Sequence, residues 1–191
     1  MIVIICINMK VLVVVDMQKI FARSDFGWHI YNINELWYKI DNVAKRFLDL
    51  GHKVVYTKFE PIFYDIDRYQ GPWQKYYKKF PFAIDPDHTH LYDLIDVPDS
   101  RSIITAPTHT FGKIDSIKEY LGPDDDIYIA GVSTGCCILS TITSLIDQMH
   151  TVHLLEDCLA AGSEASHTNS MEVLKNFRPI ISVISSTNIL F

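Results

Sequence analysis

Residues 126–157 read DIYIAGVSTGCCILSTITSLIDQMHTVHLLED. A short apolar run ends at Gly131, residues 135–150 read as a helix, and residues 151–157 form a second β-rich run. Strand, helix, strand in this order is the unit from which parallel sheets are built. The same alternation continues on both sides. KVLVVVD at 10–16 is a strand, and residues 34–51 follow as a helix with Asn34 as N-cap. Leu36, Ile40, Val43, Phe47 and Leu48 fall at helical spacing, and Gly51 closes the helix. Residues 53–59 and 101–105 read as strands, 113–122 as a short helix, 164–177 as a helix and 179–185 as a last strand. Strands of nearly continuous Val, Ile and Leu indicate a sheet covered on both faces. The predicted fold is therefore an α/β three-layer sandwich, Rossmann-like, on a mostly parallel six-stranded sheet, with residues 1–191 as a single domain.

Composition excludes several classes of function. A net charge of −6, from 17 Lys and Arg against 23 Asp and Glu, argues against a nucleic-acid partner, which needs clustered cations. The basic stretch WQKYYKKF at 73–80 is too short and too aromatic to reverse this. Four cysteines, two of them adjacent, are no disulfide framework and point to a reducing cytoplasm. The apolar start MIVIICINMKVLVVVD is interrupted by Asn8 and Lys10, so it reads as a buried strand with a leader rather than a membrane span. Met9 offers an internal start, leaving residues 1–8 as an extension with no assigned role.

In open α/β sheets the chemistry gathers at the carboxyl ends of the strands. Three such ends carry suitable residues: Asp16, the segment Thr105–Thr110, and Ser133–Cys137. A helix starting near Thr134 puts Cys137 in its first turn, where free amides and the macrodipole favour a thiolate and supply oxyanion donors. Cys136 should point about 100° away around the helix and take no part. On the residues alone, a buried cysteine behind a strand is more commonly a small hydrophobe, and Asp16 is as often a cap as a base. Cys6 and Cys158 have no polar company and read as packing.

Three blocks shift that balance. VLVVVDMQKIF at 11–21, GVSTGCCILST at 131–141 and VHLLEDCLAAGSEASH at 152–167 resemble, in order and spacing, the signature blocks of the isochorismatase-like cysteine hydrolases, a group that includes nicotinamidases and other small-amide hydrolases. The resemblance implies Cys137 as nucleophile and Asp16 as general base. It also implies a cis peptide between Val132 and Ser133 that aims the Ser133 and Cys137 amides at an oxyanion, and hydrolysis of a small carboxamide through a thioester. The third catalytic residue of that family is a lysine, and in the matching block ITAPTHTFGK at 104–113 the position is held by Ala106. An engineered Lys-to-Ala change, a natural loss giving a silent ligand-binding protein, or replacement by Lys19, Lys58 or Lys113 would each account for it; the first is preferred, which makes this a crippled amidohydrolase. Vinyl-ether cleavage of the isochorismatase type is a further alternative, against which the retained Cys137 counts.

Nicotinamidases hold a divalent ion with histidines after the second strand, and TKFEPIFYDID at 57–67 has none. His88 and His90 read as surface loop, so no metal or other cofactor is expected. Specificity is expected from the aromatic segment at 59–87, with Phe21, Trp73, Tyr76, Tyr77, His109 and Val132 as substrate-binding candidates. The expected partners are a small amide and further copies of the chain, with no nucleic acid and no membrane.

Overall fold

The computed structural model describes residues 9–96 and 103–191. Cys6, the leader and the start of the strand expected at 101–105 lie outside the described residues. Six parallel strands form one sheet in the order β3-β2-β1-β4-β5-β6: β1 Lys10–Val15, β2 Lys53–Phe59, β3 Ile104–Thr108, β4 Asp126–Val132, β5 Thr151–Ala160 and β6 Ile181–Ile184. Strand order reverses between β1 and β4, and the carboxyl end of that pair is where such sheets bind ligands.

Alternation along β1 separates the two cores. Leu12 and Val14 face α1, Ile33–Asp49, whose Leu36, Ile40, Val43 and Phe47 bury the stripe read from the sequence. Val11, Val13 and Val15 face the opposite side, covered by α3 Ile114–Ile117, α4 Leu139–Asp147 and α5 Glu164–Lys175. Helix α1 is capped two residues earlier than expected: Asn32, at φ 55°, is the N-cap, and its left-handed backbone is what Asn tolerates best after Gly. The aromatic segment forms α2, Gly71–Lys79, and short 3-10 turns around a small core of its own, with Tyr69, Tyr77, Ala83 and Ile84 buried.

Gly131 is required where β4 passes β1. Its φ is 111°, and a Cβ there would lie 2.2 Å from the Val15 carbonyl oxygen and 2.6 Å from the Val15 nitrogen. Backbone cannot retreat as a side chain can. Gly131→Ala is expected to cost about 3–5 kcal/mol of unfolding free energy, combining dihedral strain with overpacking. Urea unfolding of the two proteins measures it, and a loss under about 1 kcal/mol would contradict the packing described.

Candidate active site

Asp16 follows β1 at φ 51° and is fully buried. Thr57, on the neighbouring β2, holds it twice: the Asp16 N–H donates to Thr57 Oγ1 at 3.1 Å, and the Thr57 hydroxyl donates to Asp16 Oδ1 at 2.6 Å. Gln18 fixes the chain just beyond. Its Nε2 donates to the Phe59 and Tyr92 carbonyls at 2.8 and 2.6 Å, and its Oε1 accepts from the Phe59 N–H at 3.0 Å.

The other carboxylate oxygen meets Lys113. Nζ stands 2.8 Å from Asp16 Oδ2, both side chains are wholly excluded from solvent, and the ammonium also lies 5.1 Å from the centre of the Phe59 ring. Its aligned hydrogen bond goes to the Thr110 carbonyl at 2.7 Å, so Oδ2 carries charge pairing but no hydrogen bond of its own and keeps a lone pair free to accept. Among the described residues Lys113 is the one fully buried cation. A buried ion pair adds little net stability after desolvation, so its presence at a strand end points to function.

The expectation that Ala106 leaves this site without an ammonium is therefore corrected. Ala106 sits in the interior of β3, paired with Thr57 and buried in the core with Val13 and Val55. The strand runs on to Thr108, the loop after it crosses toward α4, and Lys113 reaches back over the sheet from the start of α3. Thr141 on α4 sets its place, accepting from the Lys113 N–H at 3.2 Å and donating to the Cys137 carbonyl at 2.6 Å. Lys19 and Lys58 instead pair at the surface, with Asp93 and with Glu60 and Asp93.

Beyond β4 the Val132–Ser133 peptide is cis, and Thr134–Ile138 form a wide π-type turn before α4. The Ser133 carbonyl accepts from the Cys136 and Ile138 amides at 3.0 and 3.2 Å. The wider turn overturns the expectation that Cys136 points away, because both thiols line one cavity of about 190 Å³. The hydrogen bond with Cys136, burial and the Asp16 charge push the Cys137 thiol well above the ordinary range, and the Lys113 ammonium pulls against them. This direction is opposite to the one expected from a helix start.

Phe21, Trp28, Phe59, Tyr76 and Phe111 wall the cavity, with Ser133 and the two thiols at its base. Phe21 and Tyr76 were expected there. Burial holds the Tyr76 hydroxyl above its ordinary range, so it remains a neutral donor. Trp73 stands behind the wall, its ring 5.3 Å from Phe111, while Tyr77 is buried in the small aromatic core. Val132 is fully buried in the main core, and His109 bonds the Glu60 carbonyl through Nδ1 at 2.8 Å in an outer groove. These four do not line the cavity: Val132 and Tyr77 are buried in cores, and Trp73 and His109 line the outer groove. Sequence reasoning missed Trp28, Phe59 and Phe111, of which Trp28 is the hub, with Phe21, Phe59, Tyr76, Phe80 and Phe82 around it. The Gly-Trp pair at 27–28, in the segment after β1, was the available signal.

The donor set does not suit a divalent ion. Among the described residues no group of three or more His, Cys, Asp or Glu side chains could hold one, and Glu60, just past β2, is paired with Lys58 at 2.6 Å. His88 bonds the Phe82 carbonyl and packs on Phe26. No described helix is long and apolar enough to cross a membrane.

The model of the isochorismatase domain matches residues 10–185. A search of curated proteins finds no match. Among solved structures, an isochorismatase family protein from Desulfovibrio vulgaris subsp. vulgaris str. Hildenborough superposes with a TM-score of 0.77 at 12% identity, covering 94% of this chain and 95% of that one. A cysteine hydrolase from Pseudomonas syringae pv. phaseolicola 1448A gives 0.76 at 16%, covering 93% and 89%. A pyrazinamidase of Pyrococcus horikoshii, solved in complex with zinc, gives 0.70 at 18%, covering 92% and 98%. At such identities the superpositions speak for the fold.

Proposed function

The chain belongs to the isochorismatase family, and from that premise we propose that it is a cysteine amidohydrolase acting on a small, neutral, planar carboxamide. The observation that carries the reading is the solvent-excluded Asp16–Lys113 pair beside a thiol that opens onto an aromatic cavity. A cavity of about 150 Å³ takes benzene, so one of about 190 Å³ suits a single ring or its equivalent. Its lining includes no Asp, Glu, Lys or Arg, which favours an uncharged ligand.

In this mechanism the Cys137 thiol gives its proton to Asp16 Oδ2 as sulfur attacks the amide carbon. The Ser133 and Cys137 amides receive the oxyanion, and Lys113 balances the charge that moves between sulfur and carboxylate. Collapse of the adduct breaks the C–N bond, with the proton on Asp16 leaving on the amine. Water then cleaves the thioester, Asp16 taking its proton and returning one to sulfur. The products are a carboxylic acid and ammonia or a small amine. The Tyr76 hydroxyl, a polar group on the aromatic wall, would orient the carboxamide.

The test is ammonia release from a panel of small aliphatic, aromatic and heteroaromatic amides by the protein with its own Ala106. Turnover of at least one planar amide is expected. Absence of turnover across the panel, with the protein folded, would remove the amidase reading. The Asp16–Lys113 pair counts against the silent-scaffold alternative, whose motive was a missing ammonium.

A further inference from the structure

We propose that His167 is a positioning residue for the turn that carries Cys137, holding it through a donated Nδ1–H bond to Thr134; this rests on the reading of Cys137 as nucleophile. Thr134 opens the turn and is fully buried. Its hydroxyl lies 2.9 Å from the Ala160 carbonyl oxygen, at the end of β5, and 2.9 Å from His167 Nδ1, on α5. A hydroxyl has one proton to give, and a carbonyl can only accept. The proton therefore goes to Ala160, and His167 must donate from Nδ1.

That assignment fixes the ring. In the neutral imidazole Nε2 is left unprotonated, and the residue lines outer grooves with Asp157, Glu164 and Lys175. Burial first, and Lys175 second, hold this histidine below its ordinary range, and both of its protonation states keep the Nδ1–H.

Helix α5 also touches the turn directly. A Cβ on Gly135 would stand 2.4 Å from Ser170 Oγ, a hydroxyl itself held by its bond to the Ser166 carbonyl at 2.7 Å. The turn is thus gripped by β5 and α5 at Thr134 and by α4 at the Cys137 carbonyl. Of these grips, the one through His167 is a side chain remote from the cavity, so it acts on the reaction only through the turn. Misplacing a reacting atom by about 1 Å costs on the order of a hundredfold in rate.

The experiment compares His167→Asn, His167→Gln and His167→Ala. The asparagine amide can stand near the place of Nδ1 and donate to Thr134, whereas the longer glutamine places its nitrogen near the position of Nε2. Two quantities are read: kcat and KM on any amide the parent turns over, and the rate at which iodoacetamide alkylates Cys137, mapped by mass spectrometry. The second needs no knowledge of the substrate. The Ala and Gln variants are expected to lose about tenfold to a hundredfold in kcat with KM nearly unchanged, and to label Cys137 more slowly. The Asn variant should recover most of both. Thermal midpoints of all three are measured alongside. Labelling at the parent rate in His167→Ala, or an Asn variant as slow as Ala and Gln, would overturn the assignment. If no amide is hydrolysed but labelling follows the Asn-against-Gln split, the positioning role stands and the amidase reading falls alone.

Discussion

Replacing Cys137 by alanine is expected to abolish amide hydrolysis, a fall of at least about 10⁴-fold, while Cys136→Ala keeps activity to within about fivefold. The first figure follows from removing a covalent nucleophile, whose loss leaves only what binding and oxyanion donors provide. The second is the worth of one hydrogen bond, about 1 kcal/mol, between two thiols. The contrast matters because both sulfurs line the same cavity. Only Cys137 has its carbonyl tied to Thr141 and, through it, to the Lys113 backbone. Ammonia release by the two single variants, with trapping of an acyl thioester and its mass-spectrometric mapping, decides between them. An acyl group found on Cys136, or turnover surviving Cys137→Ala, would sink the mechanism.

Lys113→Met should lower turnover by about 10² to 10⁴-fold, the range for disabling general acid–base chemistry. At 4 Å and an effective dielectric of about 20, a unit charge contact is worth about 4 kcal/mol before desolvation, and the pair found here is closer, at 2.8 Å. Half of that, expressed in the transition state, already corresponds to about thirtyfold. The variant also leaves the Asp16 charge buried without its cation, a cost of about 3–5 kcal/mol in stability, so unfolding curves are run beside the kinetics. Ala106→Lys is the informative companion. Ala106 is 1% exposed in an apolar core and Asp16 is already paired with Lys113, so an added ammonium there finds no free counterion and should destabilise the protein without raising activity. A Lys113→Met protein as active as the parent, or an Ala106→Lys protein faster than it, would reverse the assignment of the cation.

The sequence carried the layers of the fold because the evidence for them is local. Val11 to Val15 can only be a strand buried on both faces, and the stripe from Leu36 to Phe47 can only be half of an amphipathic helix. The ends of elements were less legible. Asn32 caps α1 through a left-handed backbone with no side-chain bond, and with a second asparagine at position 34 the residue types alone do not say which of the two is the cap. Strand β3 extends to Thr108, and this put Ala106 inside the sheet where a strand end had been expected.

By itself, the sequence determined the order of strands and helices, the family resemblance, and the presence of Asp16 and Cys137 at the ends of strands. Those depend on residue type and spacing along the chain. Tertiary structure alone decided which lysine pairs with Asp16, since a long flexible side chain can reach that carboxylate from several places, and only the path of the loop over the sheet brings Lys113 there. It likewise decided that both thiols share the cavity, which needs a turn wider than an α-helix. The grip of His167 on Thr134 belongs with these: the residues are far apart in the chain, and only the packing of α5 against the β4 turn makes them neighbours.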